Sequence, residues 1–133
     1  MSSLTNKHWQ PFYISLVLSG LFVIAFFVLS ALGYIQSIES HGIIGDASRW
    51  CERVSGGLFR EPVNTLSNLG FMVVGIYIFY TITTDTNTSS NNYFVGLTGI
   101  SILYASAAIF LGPDSMLMHG TNSGWGGWAD NLS

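Results

Sequence analysis

Ser115 and His119 stand four residues apart, and Asp130 follows eleven residues after His119. On an α-helix, residues i and i+4 share a face one turn apart, so a hydroxyl and an imidazole would point the same way. Asp130 comes after the glycine-rich run 120–127, where another helix would start. An antiparallel helix pair would return it to the same end. A hydroxyl, an imidazole and a carboxylate that meet there suit metal-assisted hydrolysis. The imidazole would bind zinc, the carboxylate would take a proton from the attacking water, and the hydroxyl would steady the oxyanion. The bland reading is a loop with incidental polar residues, since one histidine does not make a metal site.

A second cluster joins Trp50-Cys51-Glu52 to Glu61-Pro62 and Asn64-Thr65-Leu66-Ser67-Asn68. Asn64, Ser67 and Asn68 fall on one helix face at i, i+3 and i+4. Hydrogen-bonding side chains on an apolar helix face protein or a wet cavity rather than lipid. The carboxylates Glu52 and Glu61 lie near Arg49, Arg53 and Arg60, which would also describe a solvated, salt-bridged loop.

The elements that must position these residues are set by the distribution of charge. Only 11 of 133 residues are Asp, Glu, Lys or Arg, and none falls between Lys7 and Glu39, between Glu61 and Asp85, or between Asp85 and Asp114. A soluble domain has about a quarter of its residues charged, spread over every face. A charge costs several kcal/mol in hydrocarbon and nothing in a loop. Apolar runs at 12–35, 64–83 and 94–112 are each long enough for a helix across a core of about 30 Å. They do not alternate as barrel strands would. The expected fold is therefore all-α: one polytopic membrane domain over 1–133, with three transmembrane helices, the start of a fourth, and a polar loop at 36–62. The first run is too long for a signal-peptide core and lacks a nearby Ala-x-Ala site. Pro113 is expected to kink or end the third span. Small residues Ser101, Ala105 and Ala108 permit close helix contact there.

Other classes fall away. A net charge of −3 offers no basic patch for nucleic acid. The single Cys51 gives no disulfide framework and no CxxC zinc pattern. No charged residue sits inside a span, which counts against an ion pathway. The few cations lean only slightly towards a cytoplasmic arginine loop, and orientation stays open.

The two clusters together carry a resemblance. Trp50-Cys51-Glu52, then Glu61, then Asn64-Thr65-x-Ser67-Asn68 resembles the amino-terminal signature of the alkaline ceramidases. Ser115-x-x-x-His119 with Asp130 eleven residues on is similar to that family's second signature. The wider group includes the progestin and adipoQ receptors, and the wording looks closest to bacterial members. The likeness spans roughly residues 49–130. It implies a seven-helix zinc amidohydrolase that cleaves the N-acyl bond of ceramide or a related lipid amide. His119 would be a zinc ligand, Asp130 would orient or deprotonate the water, and Ser115 would stabilise the oxyanion. Trp50, Glu52, Glu61 and Asn64 would lie close by.

The same resemblance exposes departures. The family draws two further zinc ligands from a late helix, whereas His8 and His41 match no family position. This leads to the expectation that the sequence is the amino-terminal part of a longer protein. Animal members also bind calcium through residues around the Trp-Cys-Glu word. Arg49 and Val54 stand at two of those ligand positions here, which argues against calcium, a cation that needs several oxygens. Arg49, with Arg53, would supply the positive charge instead. The run 12–35 would be an extra helix relative to the animal enzymes. A non-catalytic receptor-like or structural helix bundle is the alternative from another class.

Overall fold

A computed structural model of the chain describes residues 2–35, 52, 57–85, 92–121 and 123–132. Among the described residues the fold is all-helical and holds no strand. Its helices are α1 (Ser2–Ala31), α2 (Pro62–Ser67), α3 (Leu69–Thr84), α4 (Gly99–Thr121) and α5 (Gly124–Asp130). Three stretches, His8–Ala31, Pro62–Thr84 and Gly99–Thr121, are long and apolar enough to cross a bilayer. At about 1.5 Å per residue each rises roughly 35 Å, against a hydrocarbon core of about 30 Å.

The helices are displaced from the apolar runs because prolines do not stop them. Pro11 lies inside α1 and Pro113 inside α4. A proline removes one backbone donor, and neighbouring helices make that tolerable in a span. The third helix therefore occupies 99–121 rather than 94–112, and Ser115 and His119 ride on the helix itself. Residues 92–98 form turns instead. There the Phe94 amide donates to Asn92 Oδ1 at 3.0 Å. Thr98 and Ser101 then cap α4 reciprocally: the Ser101 amide donates to Thr98 Oγ1, and the Thr98 amide to Ser101 Oγ. The first helix ends at Ala31, short of residue 35. Gly33, at φ +78°, takes the left-handed conformation there, with Tyr34 N–H bonded to Leu29 O and Gly33 N–H to Ser30 O.

α1 runs from Trp9, whose ring lies 6.1 Å from that of Tyr80 near the end of α3, to Phe26, which packs on Gly120 near the end of α4. So α1 and α4 run in parallel, with α3 antiparallel to both. α3 and α4 approach closely because Gly75 lies against Ile109 and Ala105, and Gly112 against Met72. Two small cores result. Phe79, Ile82 and Ala105 fill the end near Tyr80. Phe26, Phe59, Met72 and Met116 fill the opposite end, where Phe59 stacks on Phe26 at 5.3 Å.

Candidate active site

The site lies at the Phe59 end, where α2, α4 and α5 meet. The segment that precedes α2 is fastened to the end of α4 by its backbone: Arg60 N–H bonds to Gly120 O at 3.0 Å, and Glu61 N–H to His119 O at 3.1 Å. Pro62 then opens α2 at a position where no amide donor is needed. Glu52 receives the next two amides, Val63 N–H at 2.9 Å and Asn64 N–H at 2.8 Å. Its carboxylate thus satisfies two orphan donors of the first turn and suits the positive helix end.

That fastening sets Glu61 beside His119. Glu61 Oε2 lies 2.7 Å from His119 Nδ1 and accepts from Asn64 Nδ2 at 2.9 Å. The Glu61 side chain is fully buried and that of His119 is 22% exposed. An ionised carboxylate only accepts, so with a neutral imidazole this contact places the proton on Nδ1 and the lone pair on Nε2. A metal-binding imidazole has this arrangement, with a carboxylate on its far nitrogen. Asn64 is fixed in turn, because its carbonyl accepts from Asn68 Nδ2 at 2.9 Å and from Ser67 Oγ at 2.9 Å.

One turn before His119, the Ser115 hydroxyl donates to Asp130 Oδ1. α5 makes this possible by lying antiparallel on α4. Ser123 caps it by accepting from Gly126 N–H at 3.2 Å. Gly126 has no room for a side chain: a Cβ there would lie 2.7 Å from Leu117 O and from Thr121 Oγ1. Gly126 and Gly127, from the glycine-rich run, thus lie buried inside α5, against α4.

The sequence-derived residues therefore fall into two hydrogen-bonded sets along one face of α4. Glu52, Asn64, Glu61 and His119 form one set, and Ser115 with Asp130 the other. Residues 49–51 and 53–56 lie outside the described residues, so Trp50, Arg49, Arg53 and Val54 have no place in this geometry, and the calcium question rests with them. His41 lies outside as well, and His8 is exposed at the start of α1. Sequence reasoning put Glu61 near the site but missed that it pairs with His119, since nothing local links positions 58 residues apart.

A zinc ion fits this donor set as far as one corner. His119 offers Nε2, with Glu61 and Asn64 behind it and Asp130 one turn away. Among the described residues, no group of three or more His, Cys, Asp or Glu side chains could hold a metal, so a full shell needs donors beyond them. Among the described residues, Glu61 Oε1 and Thr65 Oγ1 are buried without a hydrogen-bond partner. No protein-family model, curated protein or solved structure matches the chain.

Proposed function

We propose that this chain is part of a multi-pass integral membrane hydrolase of the alkaline-ceramidase type, zinc-dependent, acting on the N-acyl bond of ceramide or a related lipid amide. The single observation that carries the reading is the buried Glu61 carboxylate on Nδ1 of His119. A carboxylate so placed orients a metal-ligating imidazole and leaves its Nε2 for the metal. His119 Nε2 would hold the metal, with the two further ligands that the resemblance calls for coming from outside the described residues. Zinc bound there would supply Lewis acidity to the scissile carbonyl and acidity to water.

The other roles fall to this chain's own groups. Asp130 would accept a proton from the water that attacks the amide carbon, then deliver it to the leaving nitrogen as the C–N bond breaks. The products are a fatty acid and an amine. Ser115, whose hydroxyl donates to Asp130 at rest, would redirect that proton towards the oxyanion. Glu52 and Asn64 would hold α2, and with it Glu61, in register. A substrate whose amide sits at headgroup level, with its chains in lipid, suits a site at the ends of spanning helices.

The purified protein is expected to carry zinc and to hydrolyse an N-acylated long-chain amino alcohol. Activity should vanish on chelation and return with zinc. Undiminished activity after complete removal of the metal would contradict the proposal. A non-catalytic bundle would give neither zinc retention nor turnover.

A further inference from the structure

On the other side of α4 lies a groove of about 450 Å³ between α1 and α4, floored by Phe79 of α3. Its α4 wall carries Ile102, Ser106, Ile109 and Pro113, at i, i+4, i+7 and i+11. Ser115 comes two residues after Pro113, roughly 200° further around at about 100° per residue, so this groove and the hydrolytic site face opposite ways. We infer that the groove is a binding site for one hydrocarbon chain of a bilayer lipid. The inference rests on the bilayer placement proposed above but not on the hydrolytic reading.

Dimensions decide the occupant. Along α1 the groove reaches from Pro11 to Phe22, roughly 16 Å at about 1.5 Å per residue and so about half of a ~30 Å hydrocarbon core. A volume of about 450 Å³ over that length is room for one extended hydrocarbon chain. The groove also ends inside the membrane. Past Phe22, Phe26 stacks on Phe22 at 5.7 Å and fills the space over Gly120. A helix that lodged there would have to stop mid-bilayer with unpaired backbone groups, whereas a hydrocarbon chain has none. The open end lies beside the rings of Trp9, Phe12 and Tyr80, in mutual contact at about 6 Å. Such aromatic groups mark headgroup depth. A lipid would therefore hold its polar end at that ring cluster and send one chain down to Phe22.

The width is set by small side chains. Ser15 and Ser19 on α1 and Ser106 on α4 line the groove, and Ser15 already donates to Phe12 O at 2.8 Å. Among the described residues, Ser19 Oγ is buried without a partner, and a hydrocarbon chain makes no use of it. Ser19→Ala is accordingly expected to leave occupancy unchanged, which a polar ligand or a hydrogen-bonding partner helix would not.

The test uses the whole chain in phosphatidylcholine vesicles doped with phosphatidylcholine bearing a diazirine midway along one acyl chain. After irradiation, label on the half-buried groove residues Phe22, Ile102 and Ile109 should exceed by several-fold that on Val17 and Ile24, which face outward at 57% and 63% exposure. Ser106→Phe should reduce the groove label several-fold and spare Val17 and Ile24; the wild-type ratio carries the test alone if that variant does not fold. Equal labelling of groove and outward residues overturns the proposal, as does loss of groove label in Ser19→Ala. Label on Val17 and Ile24 without groove label leaves the bilayer placement standing. Absence of label from all of them removes both.

Discussion

At the turn that leads into α4, polar side chains bond to their neighbours. Thr98 Oγ1 reaches Ser101 Oγ at 2.5 Å, Ser101 Oγ also reaches Gly96 O at 2.7 Å, and Asn92 holds the amide two residues on. At the opposite end of the same helix, partners come from far along the chain. His119 meets Glu61 across 58 residues, Ser115 meets Asp130 across 15, and Ser30 bonds to Leu58 O across 28. The residue types are alike, but the work differs. The near end punctuates a helix, and the far end ties separate elements into one arrangement. Among the described residues, the far end is where polar side chains bridge distant parts of the chain, and it is there that the hydrolytic centre is proposed.

Breaking the far end should therefore hurt most. Glu61→Ala leaves His119 Nδ1 and Asn64 Nδ2 without their acceptor in a buried setting. A loss of roughly 3 kcal/mol or more is expected in denaturation of the detergent-solubilised protein. Glu61→Gln keeps the shape and should weaken zinc retention by about 10–100-fold, and unaltered zinc affinity would separate Glu61 from the metal. Next comes Ser115→Ala, which should lower kcat by about 10²–10³-fold with zinc content unchanged. A fall in zinc content instead would give Ser115 a structural role.

Two smaller effects sharpen the contrast. Gly126→Ala forces a Cβ to within 2.7 Å of Leu117 O and Thr121 Oγ1, whereas Gly124→Ala meets nothing within 4 Å. The first should cost about 1–3 kcal/mol and lower activity by moving Asp130 away from Ser115. The second should be near neutral in both assays, and equal effects would mean that α5 does not need its close approach to α4. Smallest of all, Ser101→Ala removes a local cap and should cost about 1 kcal/mol of stability. Zinc content and turnover should not change with it.

What could be read from the sequence follows the same division. Charge-free runs revealed three helices long and apolar enough to cross a bilayer, because a charge in hydrocarbon is expensive wherever it falls. The i, i+4 spacing of Ser115 and His119 is a local property, and it survives the displacement of α4 by several residues. That displacement was not legible, since Pro113 reads as a kink or an end of the span, whereas α4 continues through it to Thr121. The Glu61–His119 pair was not legible either. It depends on two backbone hydrogen bonds that dock residues 60 and 61 against the end of α4, and no periodicity encodes such a docking. The groove beside α1 was equally hidden, because it arises from where two helices diverge rather than from any motif.

The most direct measurement is metal content alongside lipid-amide hydrolysis, in the purified protein and in His119→Ala. The unaltered protein should hold zinc and turn over substrate, and the variant should do neither while keeping its helical content. Zinc retained in His119→Ala at the level of the unaltered protein would contradict the role given to the imidazole, and with it the reading of this end as a hydrolytic centre.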